Sequence, residues 1–402
     1  LTAVAISSKP GGSIEEEIMR AVLSIVTGVM LLTGAAAHAA EPPAPAAVHK
    51  VHVDQGFIDD ALALGPSGDR LAYVHTDGDL SQLVIQKVGA EGKVAAPLKG
   101  LPPAIGKLAF SADGKFVLVV GEDREHDNRV AQLFTVDGKA HKNKLPAATD
   151  YELTVVGGAP VVMALTVKSD KRGTSYGFIA YKLADLKVLK KKVYTTDKQG
   201  LLAGLDLRVV AYADGYQRII GQRKGEFDKK NDVRKPENIA VVESLTGKIL
   251  SMTEITDPVA WAEVAKLRGE RPAAEAFLVV EELKTAMLVG RDHKKTEITI
   301  PAPLHRYEPK TLQQHLAGET LYFSFSVDPV NPDITSKGKT DRPDVDFYAL
   351  GLADRTPTKL FRLESDRPVA WTIAGGRLAV LRKYKNFSRG GVDLEVYPLP
   401  TR

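Results

Sequence analysis

An all-β chain closed into a single propeller of seven four-stranded blades is what three observations in this sequence predict. A strand–turn–strand unit occurs twice, at 58–74 (IDDALALGPSGDRLAYV) and 104–120 (AIGKLAFSADGKFVLVV), about 46 residues apart and without a gap, the spacing of a repeat array. Short alternating or apolar runs bounded by Gly-containing turns then continue along the chain, at about 50 residues per unit. The seventh unit has three strands and a spare strand stands ahead of the first; pairing the two would close the ring and remove its open edges.

The spare strand is 48–54 (VHKVHVD), which alternates apolar and polar residues. The first unit has strands at 61–64, 70–75, 82–88 and 93–98, with Pro66-Ser67-Gly68-Asp69 as its first turn. The second has strands at 107–110, 116–120 and 130–136, ending in an Asp137-Gly138 hairpin turn. Later units are more diverged. The third has strands at 151–156, 161–167 and 177–182, and the fourth at 206–211, 216–222, 239–244 and 248–252. The fifth has 277–281, 286–291 and 296–300; the sixth 313–316, 320–327, 346–350 and 359–363; the seventh 369–373, 377–382 and 393–398. Gly318-Glu319 and Gly375-Gly376 stand where the first two units carry their Gly turns. One short helix interrupts the pattern at 257–269, between units four and five: Asp257 is its N-cap, Pro258 its first residue and Gly269 its stop.

The N-terminal stretch reads as an address. Residues 19–40 (MRAVLSIVTGVMLLTGAAAHAA) combine the positive Arg20, an apolar run and an Ala37-His38-Ala39 cleavage site, the parts of a secretory signal peptide. The run is shorter than the roughly 20 residues a bilayer span needs. The expected organisation is upstream sequence at 1–18, a signal peptide at 19–39 cleaved near Ala39, a flexible Pro/Ala tether at 40–47 and the propeller over 48–402. That protein would be periplasmic or secreted, with no transmembrane segment after cleavage.

Gly65-Pro66-Ser67-Gly68-Asp69-Arg70-Leu71-Ala72-Tyr73 and Phe110-Ser111-Ala112-Asp113-Gly114-Lys115-Phe116 resemble the S-P-D-G-x-x-[LI]-[AV]-[FY] core of WD40-like, TolB-type β-propeller repeats. The resemblance spans 54–140 and is a looser pattern beyond it. It implies a propeller of the kind that usually serves as a binding platform in the bacterial envelope. TolB-like proteins carry an α/β domain before the propeller, and dipeptidyl-peptidase-like enzymes set a hydrolase domain beside it. Neither fits the span the repeats leave, so neither a Tol-type complex nor a peptidase is expected, and fold alone assigns no function.

The composition narrows the chemistry. With 402 residues, 44% hydrophobic and 26% charged, the chain can bury a large core without staples. A formal net charge of +4 is too weak to announce a nucleic-acid partner. The absence of cysteine excludes disulfides, thiol catalysis and Cys-based zinc sites. The serine-hydrolase elbow, H-E-x-x-H, the P-loop, G-x-G-x-x-G and the EF-hand loop are absent. The nearest approach to a ligand cluster is Glu122-Asp123-Arg124-Glu125-His126-Asp127 in unit two, with Arg291-Asp292-His293 at the equivalent turn of unit five. A metal held by Glu122, His126, Asp127, Asp292 and His293, one divalent cation such as calcium, is the alternative to having no cofactor.

A broader feature is the placement of the long segments. They concentrate at the turn between the second and third strands, at 121–128, 168–175, 223–238, 328–345 and 383–391. In a propeller that turn opens on one face, and loops on a rigid scaffold are where binding resides. Their basic residues are Arg223, Lys224, Lys229, Lys230, Arg234, Lys235, Lys337, Lys339, Arg342, Lys383, Lys385 and Arg389. The leading expectation is a non-catalytic platform that docks an envelope protein or an anionic polymer on this face. A metal-dependent propeller hydrolase or lactonase and a small-molecule sensor remain as alternatives.

Overall fold

The computed structural model describes residues 44–53, 57–102, 104–123, 128–171, 173–195, 207–213, 215–223, 225, 227–254, 276–281, 285–290, 294–301, 312–326, 344–363, 369–383 and 392–400. All of them belong to the compact unit Pro43–Arg402. No helix occurs among them, and the expected helix at 257–269 lies outside them.

The first strand is β1 (His49–Val53). Blade 1 follows as β2 (Phe57–Leu64), β3 (Arg70–Asp77), β4 (Leu80–Lys87) and β5 (Lys93–Pro97). Blade 2 is β6 (Ile105–Phe110), β7 (Phe116–Asp123) and β8 (Asn128–Thr135). Blade 3 is β9 (Asp150–Val156), β10 (Ala159–Asp170), β11 (Gly173–Lys182) and β12 (Val188–Thr195). Blade 4 opens with β13 (Leu207–Ala213) and β14 (Arg218–Arg223). A separate two-stranded hairpin, β15 (Phe227–Asp228) and β16 (Val233–Arg234), comes next, and β17 (Asn238–Glu243) and β18 (Ile249–Glu254) complete the blade. Blade 5 shows β19 (Phe277–Glu281), β20 (Thr285–Val289) and β21 (Lys295–Ile298). Blade 6 is β22 (Gln313–Ala317), β23 (Thr320–Ser326), β24 (Val345–Gly351) and β25 (Pro357–Leu363). Blade 7 is β26 (Ala370–Ala374), β27 (Arg377–Lys383) and β28 (Val392–Pro398), completed by β1. The protein is thus an all-β, seven-bladed propeller of WD40-like architecture. In blades 2 and 5 three strands lie among the described residues; the other five blades have four.

Each core cluster takes its side chains from two neighbouring blades. In β7, Val117 and Val119 pack with Val74 and Leu83 of blade 1, while Leu118 and Val120 pack with Tyr151 and Val162 of blade 3. All four β7 side chains are fully buried. Burial on both faces is why this strand reads as a continuous apolar run rather than an alternation. Each such side chain contributes about 1.5–3 kcal/mol by leaving water.

The ring closes as expected at its own first strand. β1 pairs antiparallel with β28, with His49 opposite Val396 and Val53 opposite Val392. Lys50 Nζ lies 2.9 Å from Asp393 and 3.1 Å from Glu395. These bonds, that to Asp393 foremost, hold the Lys50 ammonium above its usual pKa. His52 Nδ1 is 2.6 Å from Asp393, Arg382 Nε is 3.0 Å from Glu395, and the Tyr397 hydroxyl donates to Glu395 at 2.5 Å. The A–B turns of blades 7 and 1 touch through backbone. Gly375 has φ +53 and Gly68 has φ +71; a Cβ on Gly375 would overlap the Ser67 carbonyl carbon, and one on Gly68 would stand 2.9 Å from Ala374 O. Only glycine meets both demands, a positive φ and no side chain. Arg377 Nη1 donates to Gly68 O at 2.9 Å across the same contact.

Two expectations are corrected. The segment 168–175 is not an insertion loop. β10 and β11 stay paired through Lys168↔Ser175, Ser169↔Thr174 and Asp170↔Gly173, with Ser169 and Thr174 bonding side chain to side chain at 3.0 Å. Hydroxyl and β-branched residues suit a pleat in water as well as a turn. Blade 3 also has a fourth strand that patterning missed, β12 (Val188–Thr195). Seven of its eight residues are exposed, so no one-sided burial imposes a period on its sequence.

Candidate docking surface

Consecutive strands of a blade are antiparallel, so A–B turns lie at one end and B–C turns at the other. The A–B turns of blades 7, 1 and 2 meet: Gly68 abuts Gly375, and a Cβ on Gly114 would stand 3.6 Å from Pro66 Cδ. In blade 4 the B–C connection at the opposite end is built up into the β15–β16 hairpin.

The hairpin's local structure follows from its sequence. The Asp228 carboxylate accepts from the Lys230 N–H at 3.0 Å, the Asn231 N–H at 3.4 Å and the Asn231 side-chain amide at 3.0 Å. Those bonds, the Asn231 amide first, hold Asp228 below the usual carboxylate pKa. Asp232 takes φ +51, a left-handed conformation that Asp tolerates better than most residues. At the base, a Cβ on Gly225 would overlap the Lys235 carbonyl oxygen, so only glycine lets the two backbones cross. Gln222 Nε2 donates to Glu237, and Asn238 Nδ2 to Pro236 O at 3.0 Å. The result is a finger pinned at its root and turn.

On that finger Lys229, Lys230, Arg234 and Lys235 are all exposed. Phe227 and Val233 are 52% and 58% exposed. Phe227 stands opposite Arg234, which puts an aromatic ring and a guanidinium side by side on one face. Val233 stands opposite Asp228 and so lies on the other face. An exposed ring beside a guanidinium suits a partner carrying a carboxylate beside an apolar side chain. Arg223 closes β14 at the finger's root, and its guanidinium donates to Met252 Sδ at 3.4 Å.

Lys383 ends β27, but its side chain lies outside the described residues, as do Lys224, Lys337, Lys339, Arg342, Lys385 and Arg389. Of the metal candidates, His126, Asp127, Asp292 and His293 lie outside them too. Glu122 is the last but one residue of β7, with its carboxylate 3.5 Å from the Arg129 guanidinium. Among the described residues no three His, Asp or Glu side chains are grouped as metal ligands.

Sequence patterning missed a polar network that joins blades 2, 3 and 4. Arg129 Nη1 donates to Asp150 at 2.6 Å, and the Tyr216 hydroxyl donates to the other Asp150 oxygen. Lys107 Nζ bonds the Tyr151 carbonyl at 2.7 Å and the Glu152 carboxylate, and lies 6.0 Å from the Tyr216 ring centre. Gln217 donates to Thr154 at 2.5 Å. Burial first, then the Asp150 charge, pushes the Tyr216 hydroxyl far above its usual pKa and keeps it a donor. Burial opposes the charge on Arg129, but Asp150 outweighs it and holds the guanidinium charged. Each carboxylate has its cation, so the network pins three blades together rather than presenting a spare group. Its one local signal was Gly215-Tyr216, where Tyr216 takes φ +65 at the blade 4 turn.

Comparison with solved structures returns propellers. The chain is similar to the WD40 repeats of RRP9 at 12% identity, covering 89% of this chain and 99% of that one, with a TM-score of 0.48. It is similar to the polysaccharide lyase Uly1 at 12% identity, covering 88% and 100%, with a TM-score of 0.47. It is also similar to the β-propeller domain of the trilobed protease from Pyrococcus furiosus at 10% identity, covering 86% and 98%, with a TM-score of 0.45. These are likenesses of fold. No family model and no curated protein matches the chain.

Proposed function

We propose that this protein is a non-catalytic docking platform of the bacterial envelope, periplasmic or secreted, that holds an acidic protein segment on the B–C face of its propeller. One observation carries the reading: the blade 4 finger carries exposed Lys229, Lys230, Arg234 and Lys235, with Arg234 directly opposite exposed Phe227, on a hairpin pinned at its root by Gly225 and Gln222 and at its turn by Asp228. A rigid finger loses little entropy on binding, so its contacts convert to affinity more fully than those of a floppy loop. The signal-like segment at 19–39 supports the location.

The test uses labelled poly-L-glutamate as the probe, followed by fluorescence anisotropy at low and physiological salt. The protein should bind at low salt and more weakly at high salt. Replacing Lys229, Lys230, Arg234 and Lys235 together with Ala should weaken binding by about tenfold or more, with melting unchanged. Equal affinity in that variant, or no binding by the unaltered protein, would remove the finger as the docking element.

A further inference from the structure

We infer that the outer rim of blades 2 and 3 rests on an anionic bilayer surface, its lysines among the headgroup phosphates and its exposed valines in the interface. Surface and partner both differ from the B–C face and the acidic segment of the finger. Residues 141–146 (HKNKLP) and 182–195 (KLADLKVLKKKVYT) hold seven lysines, no arginine and one carboxylate, Asp185. All seven lysines are exposed. This local excess of six positive charges is larger than the +4 of the whole chain, so the charge is concentrated here. Side chains of blade 2 hold the two segments side by side: His141 Nε2 is 3.2 Å from Ala184 O, and Asn143 Nδ2 donates to Asp185 O at 2.8 Å. The Asp185 carboxylate is used within its own turn, accepting from the Lys187 N–H at 3.1 Å and lying 3.7 Å from Lys187 Nζ. Among the described residues Lys142, Lys144, Lys190, Lys191 and Lys192 have no carboxylate at ion-pair distance.

Apolar side chains are interleaved with these charges. β12 is the outermost strand of blade 3, and its pairing with β11 skips Leu189. Val188, Lys191 and Val193 therefore share the face of Tyr181, Ile179 and Gly177, which is turned toward blade 2 and so toward Lys142 and Lys144. Val188, Leu189 and Val193 are 55%, 37% and 52% exposed. Lys190 and Lys192 stand on the other face, opposite Ala180 and Phe178. Ammoniums on both faces of one strand cannot converge on a small anion. Without arginine there is no planar fork to fix the spacing of carboxylates along a peptide. A fluid bilayer needs neither, because its headgroups move to each charge, the long lysine stems reach up to them, and the valines between enter the interface. A soluble, fully hydrated polyanion would leave those valines in water.

Co-sedimentation with vesicles tests this. Phosphatidylcholine vesicles with about 30% phosphatidylglycerol should retain the protein at low salt and less at high salt, and pure phosphatidylcholine should not. Lys142→Gln, Lys144→Gln, Lys190→Gln, Lys191→Gln and Lys192→Gln together should weaken retention by about tenfold or more, with melting unchanged. Val188→Ser with Val193→Ser should weaken it severalfold, at high salt as well as low. The fourfold Ala variant of the finger should be retained like the unaltered protein, so failure here and failure of the finger are read separately. No retention by the anionic vesicles overturns the inference, and loss of poly-L-glutamate binding in the lysine variant would then give the strip to an acidic protein. Equal retention of the lysine variant or of the valine variant overturns it too. Loss in the finger variant alone moves the membrane contact to the finger.

Discussion

Where blade 7 meets blade 1, backbone touches backbone: Gly375 lies against Ser67, Arg377 reaches Gly68 O, and β1 seals β28 with Lys50 bridging two carboxylates. On the outer side of blade 4 the same pleat ends in β18, exposed along its whole length, and in a finger whose Phe227 and Val233 face water. The closing sector of blades 6, 7 and 1 also buries its charge. Asp346 is fully buried with Arg362 Nε at 2.7 Å and Lys359 Nζ at 3.0 Å. In one region contact is complete and substitution should unfold; in the other exposure is retained and substitution should alter association alone.

The sharpest break of that contrast is Gly375→Ala. The new methyl meets Ser67 backbone and the residue is held at positive φ, so the protein should lose about 3 kcal/mol or more, read as a lower denaturant midpoint. Glu395→Ala leaves Arg382 and Lys50 short of a partner and should cost about 3 kcal/mol in the same measurement, less if water reaches Arg382.

Asp346→Asn adds a pH dependence. Burial raises the carboxyl pKa, but the bonds from Arg362 and Lys359 outweigh it, so the folded value lies below the unfolded one. The stabilisation is therefore complete above about pH 4 and is lost as pH falls through the lowered folded value. The variant should melt below the unaltered protein at neutral pH, and the gap should shrink on acidification below about pH 4. A gap that widens in acid would reverse the sign.

Gly318→Ala sharpens the comparison from the other side. Gly318 has φ +59 at the equivalent turn of blade 6, but a Cβ there meets nothing within 4 Å. Only backbone strain remains, and the loss should be about 1 kcal/mol. Smallest of all, the fourfold Ala replacement at Lys229, Lys230, Arg234 and Lys235 should move stability by about 0.5 kcal/mol at most while weakening poly-L-glutamate binding by about tenfold or more. A large stability loss there would mean the finger is structural.

How much of this was legible depends on how far each cause reaches along the chain. The turn glycines Gly68, Gly114, Gly318 and Gly375, the apolar runs of the central strands and the surplus strand at 48–54 are local signals, and they carried blade phasing, blade number and closure. The basic residues of 223–238 were visible as composition. That they stand on a pinned hairpin beside an exposed Phe227 was not, because Gly225 and Gln222 act through residues met only on folding back. β12 escaped notice because a strand exposed on both faces has no reason to alternate.

The sequence by itself therefore determined the repeated unit and the ring it implies, since turn conformation and two-sided burial are written into neighbouring residues. Tertiary structure alone decided which distant groups share a site. Tyr216 meets Asp150 across 66 residues and Arg377 meets Gly68 across 309, contacts set by how the blades stack. It also decided which strand edges stay in water, because exposure belongs to the assembled ring and not to any stretch of the chain.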